Sequence, residues 1–384
     1  EPRALDDLLG IRELLSPAEC AILAETRAAF DAEIRPLVAE HWRAGTFPSE
    51  LPAILARLGV LGAPAAGRSS LLRGLLHAEL ARVDASCSTF LGVHGELCLS
   101  AVERYGSPEA QAALLPGLRE LSLVGAFALT EPEHGSDISR AMGAAAVRDG
   151  DDWVLHGVKR WIGNGTIADV VLVWARDQAD GSVLGFLVPG DAAGLSRTLI
   201  EDKISLRIVQ NADLVLDGVR VPESRRLPGV RGFGDVAELL TASRVWVAWQ
   251  TLGLQLAAYD HALRYARERS QFGQPIGGFQ LVQQKLVRIL ENVTASLAVL
   301  AQLARLQDEG RVRSEQAALA KASGSARMRE SVALARELFG GNGIVQESGI
   351  ARVFADAEAL YTYEGSHDIN TLLVGRAITG ISAF

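Results

Sequence analysis

Ala146-Val147-Arg148-Asp149-Gly150-Asp151-Asp152-Trp153-Val154-Leu155 decides how this chain is read, because it breaks a helical pattern with a β signal. Two β-prone segments flank Asp149-Gly150, a dipeptide that favours the left-handed conformations of a tight hairpin turn. Val170 to Trp174 and Gly185-Phe186-Leu187-Val188 read as short buried strands. Leu214-Val215-Leu216-Asp217-Gly218-Val219-Arg220-Val221 carries the same dipeptide and predicts a second hairpin. Short strands with frequent turn signals predict a small barrel or sandwich.

Outward from this region the period is that of helices. Towards the N-terminus, Ser16-Pro17-Ala18-Glu19 combines an N-cap, a first-turn proline and a capping-box glutamate. Ile22, Leu23, Ala29 and Phe30 give that helix its apolar face. Ser107-Pro108-Glu109 starts another helix just after a stop at Gly106. Between them the run Asp84-Ala85-Ser86-Cys87-Ser88 offers either close backbone approach or a tight helix contact. Towards the C-terminus, helices are predicted over 235–268, 279–308 and 313–339, with stops at Gly273 to Gly278, Gly310 and Gly340-Gly341-Asn342-Gly343. Long helices with short connections predict an up-and-down bundle. The expected architecture is therefore mainly α with a central β domain: helical over 1–125, β-barrel over 126–233, helical bundle over 234–384.

Composition narrows the chemistry. The 384 residues are 48% hydrophobic and 22% charged, with a net charge of −8 and no long basic run, which argues against nucleic acid and anionic membranes as partners. Cys20, Cys87 and Cys98 have no metal-ligand spacing, so no metal is expected and reduced thiols suggest a cytoplasmic protein. No apolar stretch of membrane-spanning length and no signal peptide stand out.

The chemistry-bearing stretch is Tyr363-Glu364-Gly365-Ser366. Ser366 reads as an N-cap, with Asp368 in the first turn and Ile369, Leu372 and Leu373 at helical spacing. Glu364 thus stands just outside a helix start, preceded by Tyr361 and Tyr363. Desolvation raises such a carboxylate towards the range of a general base, while the helix N-terminus opposes the shift. Four further segments stand out. Phe127 to Asp137 supplies hydroxyls at Thr130 and Ser136 with loop amides. Lys159-Arg160-Trp161-Ile162-Gly163-Asn164-Gly165 sets an indole beside a glycine-rich turn, as a core tryptophan or as a rest for a planar cofactor. Arg267 to Gly273 closes a helix with cations, and Phe339 to Gly343 stops another while baring its backbone.

Together these segments, in this order, resemble the acyl-CoA dehydrogenase family over essentially the whole chain. The C-terminal pattern is similar to the glutaryl-CoA dehydrogenase branch. The longer stretches, Ala81 to Phe90, Lys159 to Asn164 and Ser243-Arg244 with Val247 to Gln250, are similar to plant peroxisomal short-chain acyl-CoA oxidases. The resemblance implies FAD bound between the β domain and the bundle of a homotetramer built as a dimer of dimers. Leu129, Thr130, Ser136, Trp161, Ile162 and Gly163 match positions that hold the flavin and pyrophosphate. Arg269, Gln271, Phe272, Glu337, Gly340 and Gly341 match positions that reach a neighbouring subunit's FAD, with Ser366 and Asp368 completing the site. Glu364 matches the base that removes an α-proton from an acyl-CoA thioester, and Arg244 matches an arginine near it. Ser136, Arg244, Tyr363 and Gly365 match substrate-binding positions, and electron-transfer flavoprotein or O₂ is the implied acceptor. Three departures stand out: Gly163 replaces a hydroxyl residue, Glu337 replaces a glutamine and needs a cationic partner, and Ser88 replaces the arginine that holds a glutaryl carboxylate. An uncharged acyl chain is therefore expected.

Overall fold

A computed structural model describes residues 6–61 and 67–383. Among the described residues the chain opens with the α-helices α1 (Pro17–Ala29), α2 (Arg35–Ala44), α3 (Leu51–Arg57), α4 (Ser70–Val83), α5 (Ala85–Gly92), α6 (Ser100–Tyr105) and α7 (Pro108–Arg119). Ser16 caps α1 through a complete capping box with Glu19, and Ser107 caps α7. Asp84 ends α4 and caps α5 by accepting from the Ser86 and Cys87 amides. The small-residue run is thus a helix start whose serines are buried between helices, the second of its two readings.

The sheet follows: β1 (Gly125–Ala128), the short α8 (Ile138–Ala141), β2 (Ala145–Asp149), β3 (Asp152–Ile162), β4 (Val170–Asp177), β5 (Val183–Pro189), β6 (Leu195–Leu199) and β7 (Ala212–Pro222). Its order is β1-β4-β2-β3-β7-β6, with β5 pairing β4. The first Asp-Gly hairpin is present, β2 pairing β3 from Ala145↔His156 to Asp149↔Asp152. The second is not: β7 runs unbroken through Asp217-Gly218, pairing β3 and β6. Leu155 faces Val219 while His156 faces Asp217, so Gly218, at φ 69°, is the extra residue of a bulge. A second shift lies between Lys159 and Ile162.

The C-terminal part holds α9 (Phe233–Glu268), a two-residue hairpin β8 (Ser270–Gln271) and β9 (Gln274–Pro275), α10 (Gln280–Asp308), α11 (Ser314–Leu338), α12 (Ile350–Thr362) and α13 (His367–Thr379). Its core does not stop at the N-terminal helices. Leu72 and Leu75 of α4 share one apolar cluster with Trp249 and Leu252 of α9 and Val293 and Leu297 of α10. Glycine makes the contact possible, since a Cβ at Gly74 would lie 2.0 Å from the Trp249 indole. One expectation about composition also fails. Within α10 an 18-residue window has mean hydropathy 1.4, enough by length and composition for a membrane span. Its inner face is buried here against the bundle, at Ile289, Val293, Leu297 and Leu300.

Candidate active site

Glu364 sits in the turn between α12 and α13. It adopts φ 54° and Gly365 φ 78°, two consecutive left-handed residues that lift the carboxylate off the end of α12. A non-glycine residue rarely holds that conformation unless its surroundings impose it, and here they do. Lys321 of α11, without exposed surface, donates from Nζ to Tyr361 O at 3.1 Å and Gly365 O at 2.8 Å. Asn370 Nδ2 lies 3.3 Å from Glu364 O, 2.7 Å from Gly365 O and 3.1 Å from Ser366 O. Ser366 caps α13 by accepting from the Ile369 amide at 3.2 Å. Below the turn, Tyr363 OH donates to Gln250 Oε1 at 2.6 Å and lies 3.2 Å from Thr89 Oγ1.

The carboxylate itself accepts from Ser243 Oγ at 2.6 Å. Burial raises the pKa of Glu364; the Ser243 hydrogen bond and then Arg244 and Lys321 pull against it, and burial wins. Arg244 acts on the carboxylate as a nearby charge rather than as an ion-pair partner. Burial lowers the arginine's own pKa, and its Nε is a buried donor without a partner among the described residues. The arrangement presents a carboxylate that takes up a proton more readily than a solvated one.

A second group of side chains gathers at the end of β3. Arg160 N donates to Thr130 O at 2.8 Å, tying the Thr130 loop to the Lys159–Ile162 bulge. That bulge turns Trp161 outward at φ 63° and leaves it 52% exposed, with the Arg160 guanidinium 4.9 Å from its ring. Trp161 is therefore no core tryptophan. Leu129 and Ile162 are buried beneath, and Ser136 lies on the exposed loop before α8. Lys159 is fully buried, donating to Glu131 Oε1 at 2.8 Å and Leu129 O at 3.0 Å, while Glu131 accepts from the Gly143 and Ala144 amides. Burial still takes the Lys159 pKa down to about 8. A Cβ on Gly163 would lie 3.0 Å from a Val93 methyl, a tight contact that would require that side chain to give.

The third group faces solvent. Arg269 ends α9 just before the β8–β9 hairpin, which holds Gln271 and Phe272, and Phe272 is 96% exposed at φ 52°. Gly340 and Gly341 have open space where side chains would be. Glu337 has the cation that its position calls for, Lys285 Nζ at 2.7 Å. Asp368 is exposed.

These are three groups of side chains: a base, an indole platform, and a solvent-exposed glycine-rich edge. The matching family models are those of the acyl-CoA dehydrogenase N-terminal domain over residues 16–121, middle domain over 126–219 and C-terminal domain over 230–379. The chain belongs to the acyl-CoA dehydrogenase family. The short-chain specific acyl-CoA dehydrogenase of Bos taurus mitochondria is 31% identical, over 90% of this chain and 86% of that protein. A solved glutaryl-CoA dehydrogenase from Mycobacterium smegmatis superimposes with TM-score 0.95 at 38% identity, covering 99% of both chains. A second such structure, in complex with FADH₂, superimposes with TM-score 0.95 at 35% identity, again over 99% of both chains.

This acyl-CoA dehydrogenase homologue is an FAD-dependent oxidoreductase. The residues present fit the cofactor: an outward indole for a planar ring, a side-chain-free position at Gly163, and bare backbone at Gly340 and Gly341. Sequence reasoning passed over the supports of the base, namely Ser243 as its donor, Lys321, Asn370 and the Thr89–Gln250–Tyr363 contacts. Only Ser243 left a usable trace, as the neighbour of Arg244.

Proposed function

We propose that this chain converts an uncharged acyl-CoA thioester into a trans-2-enoyl-CoA, with Glu364 as the base. The observation that carries the reading is the strained, over-anchored turn that holds a proton-avid carboxylate beside Ser243. Glu364 takes the α-proton; FAD, when bound, would supply the acceptor for the β-hydrogen as hydride. The backbone amide of Glu364, presented by its left-handed turn, is offered to the thioester oxygen as negative charge develops there. One such donor is worth about 10²–10³ in rate. Arg244 supplies a positive potential without pairing the base away.

The absence of a cation at Ser88 supports an uncharged acyl chain: its Oγ donates to His77 O at 3.3 Å. Electron-transfer flavoprotein is the acceptor that the family membership favours. A cytoplasmic homotetramer, in three parts bounded near 125 and 233, completes the proposal.

The test is Glu364→Gln. It is expected to keep FAD and to bind acyl-CoA, yet to reduce its flavin about 10²–10⁴-fold more slowly. Near-normal reduction removes Glu364 from the mechanism. Rapid reoxidation of the reduced wild-type flavin in air would replace electron-transfer flavoprotein with O₂.

A further inference from the structure

An acyl thioester placed for this reaction has its α-carbon at Glu364 and its β-carbon on the flavin side, at Gly163. Each marker neighbours one of two helices that touch, α5 and α9. Ser243, bonded to Glu364, belongs to α9, whereas Val93, which a Cβ on Gly163 would meet at 3.0 Å, directly follows α5. Carbons beyond the β-position therefore enter between α5 and α9.

Two layers of side chains close that seam. Trp246 is one turn inward from Ser243 (i+3) and lies against Gly92, where a methyl group would stand 1.9 Å from indole Cζ2. The indole thus occupies the volume that a side chain at Gly92 would claim. Another turn inward (i+7), Gln250 Nε2 donates to Thr89 Oγ1 at 3.2 Å, and both touch the Tyr363 hydroxyl. Thr89 precedes Gly92 by one turn, so the layers stack in antiparallel register down both helices. Trp246 is 3% exposed and Gln250 has no exposed surface.

The layers differ in what holds them. Gln250 is fixed by hydrogen bonds that an alkyl chain cannot replace. Trp246 Nε1 is buried without a partner among the described residues, so packing rather than a hydrogen bond positions the indole, which meets the chain first. We infer that Trp246 is a specificity-determining residue that limits the substrate to short, butyryl-sized acyl groups. The inference rests on the acyl-CoA reading above.

Anaerobic flavin bleaching with butyryl-, hexanoyl- and octanoyl-CoA tests it. The wild type is expected to favour butyryl over octanoyl by about 100-fold in kcat/KM. Trp246→Ala and Trp246→Val are expected to raise the octanoyl-to-butyryl ratio about ten-fold or more. They are also expected to tighten calorimetric binding of 3-thia-octanoyl-CoA, which cannot be dehydrogenated, while Trp246→Phe keeps the wild-type order. Equal use of butyryl and octanoyl by the wild type overturns the inference and leaves the acyl-CoA reading standing. So does an unchanged ratio in a flavin-loaded Trp246→Val protein. No bleaching by any thioester overturns that reading and the inference with it.

Discussion

Lys321 keeps a base in position without neutralising it. Its ammonium bonds the carbonyls on either side of Glu364, at Tyr361 and Gly365, and does not pair with the carboxylate. Burial lowers its pKa to about 8, against a raising influence from Glu364. Lys321→Met takes the ammonium from Tyr361 O and leaves Gly365 O to Asn370 alone, a cost of about 1–3 kcal/mol, so Tm falls. It also removes a charge that lowers the pKa of Glu364. Because the base must be ionised to act, the acid limb of the kcat/KM profile is expected to move to higher pH. A lower Tm with an unmoved limb would leave Lys321 a purely structural role. Glu364 was legible in the sequence because a glycine and a serine N-cap follow it at once. Lys321 was not: in Ala-Leu-Ala-Lys-Ala-Ser it reads as the solvent side of a helix, and its partners stand 40 and 44 residues downstream.

Among the elements, the π-helical segment Val93–Leu99 joins the N-terminal helices to the sheet through His94. The ring accepts from the Gly125 amide through Nδ1 at 2.9 Å and donates from Nε2 to Leu118 O at 2.7 Å. Those roles belong to the neutral ring, and burial holds its pKa down at about 4. As pH falls the unfolded chain therefore takes up this proton first. The stability due to His94 is complete above about pH 6.5 and is lost as pH falls towards 4. Asp356, its pKa raised to about 7 by burial and by Asp84, has the opposite sign, so the total profile does not isolate either group. The difference between wild type and His94→Gln in urea unfolding does. It is expected to shrink by about 2 kcal/mol between pH 7 and pH 5, and a difference independent of pH would rule out a neutral buried ring. Element starts and stops were readable because caps and glycines act within one turn. The bulges were not: Asp149-Gly150 turns the chain and Asp217-Gly218 does not, because β7 is paired on both edges, by β3 and β6. Strands distant in sequence decide between the two outcomes, and local propensity is silent about them.

Across the whole molecule, the base and the indole platform are built within one chain, whereas the Arg269–Gly273 hairpin and Gly340–Gly341 are exposed to solvent. Phe272 at 96%, Ile378 at 80% and Ile344 at 74% exposure are large apolar side chains for a protein of net charge −8 to leave in water. A second copy that supplies a cofactor surface accounts for their exposure and for the open backbone at Gly340 and Gly341 together. If so, flavin retention and assembly are one equilibrium, because a ligand bound across an interface stabilises the oligomer by mass action. The native chain is then expected to sediment as a tetramer with one FAD per chain, and dilution should release flavin and subunits in parallel. Phe272→Asp buries a carboxylate at that contact, so it should yield smaller, flavin-poor species while leaving far-ultraviolet circular dichroism unchanged. A Phe272→Asp monomer that keeps full flavin would show instead that each chain holds its cofactor alone.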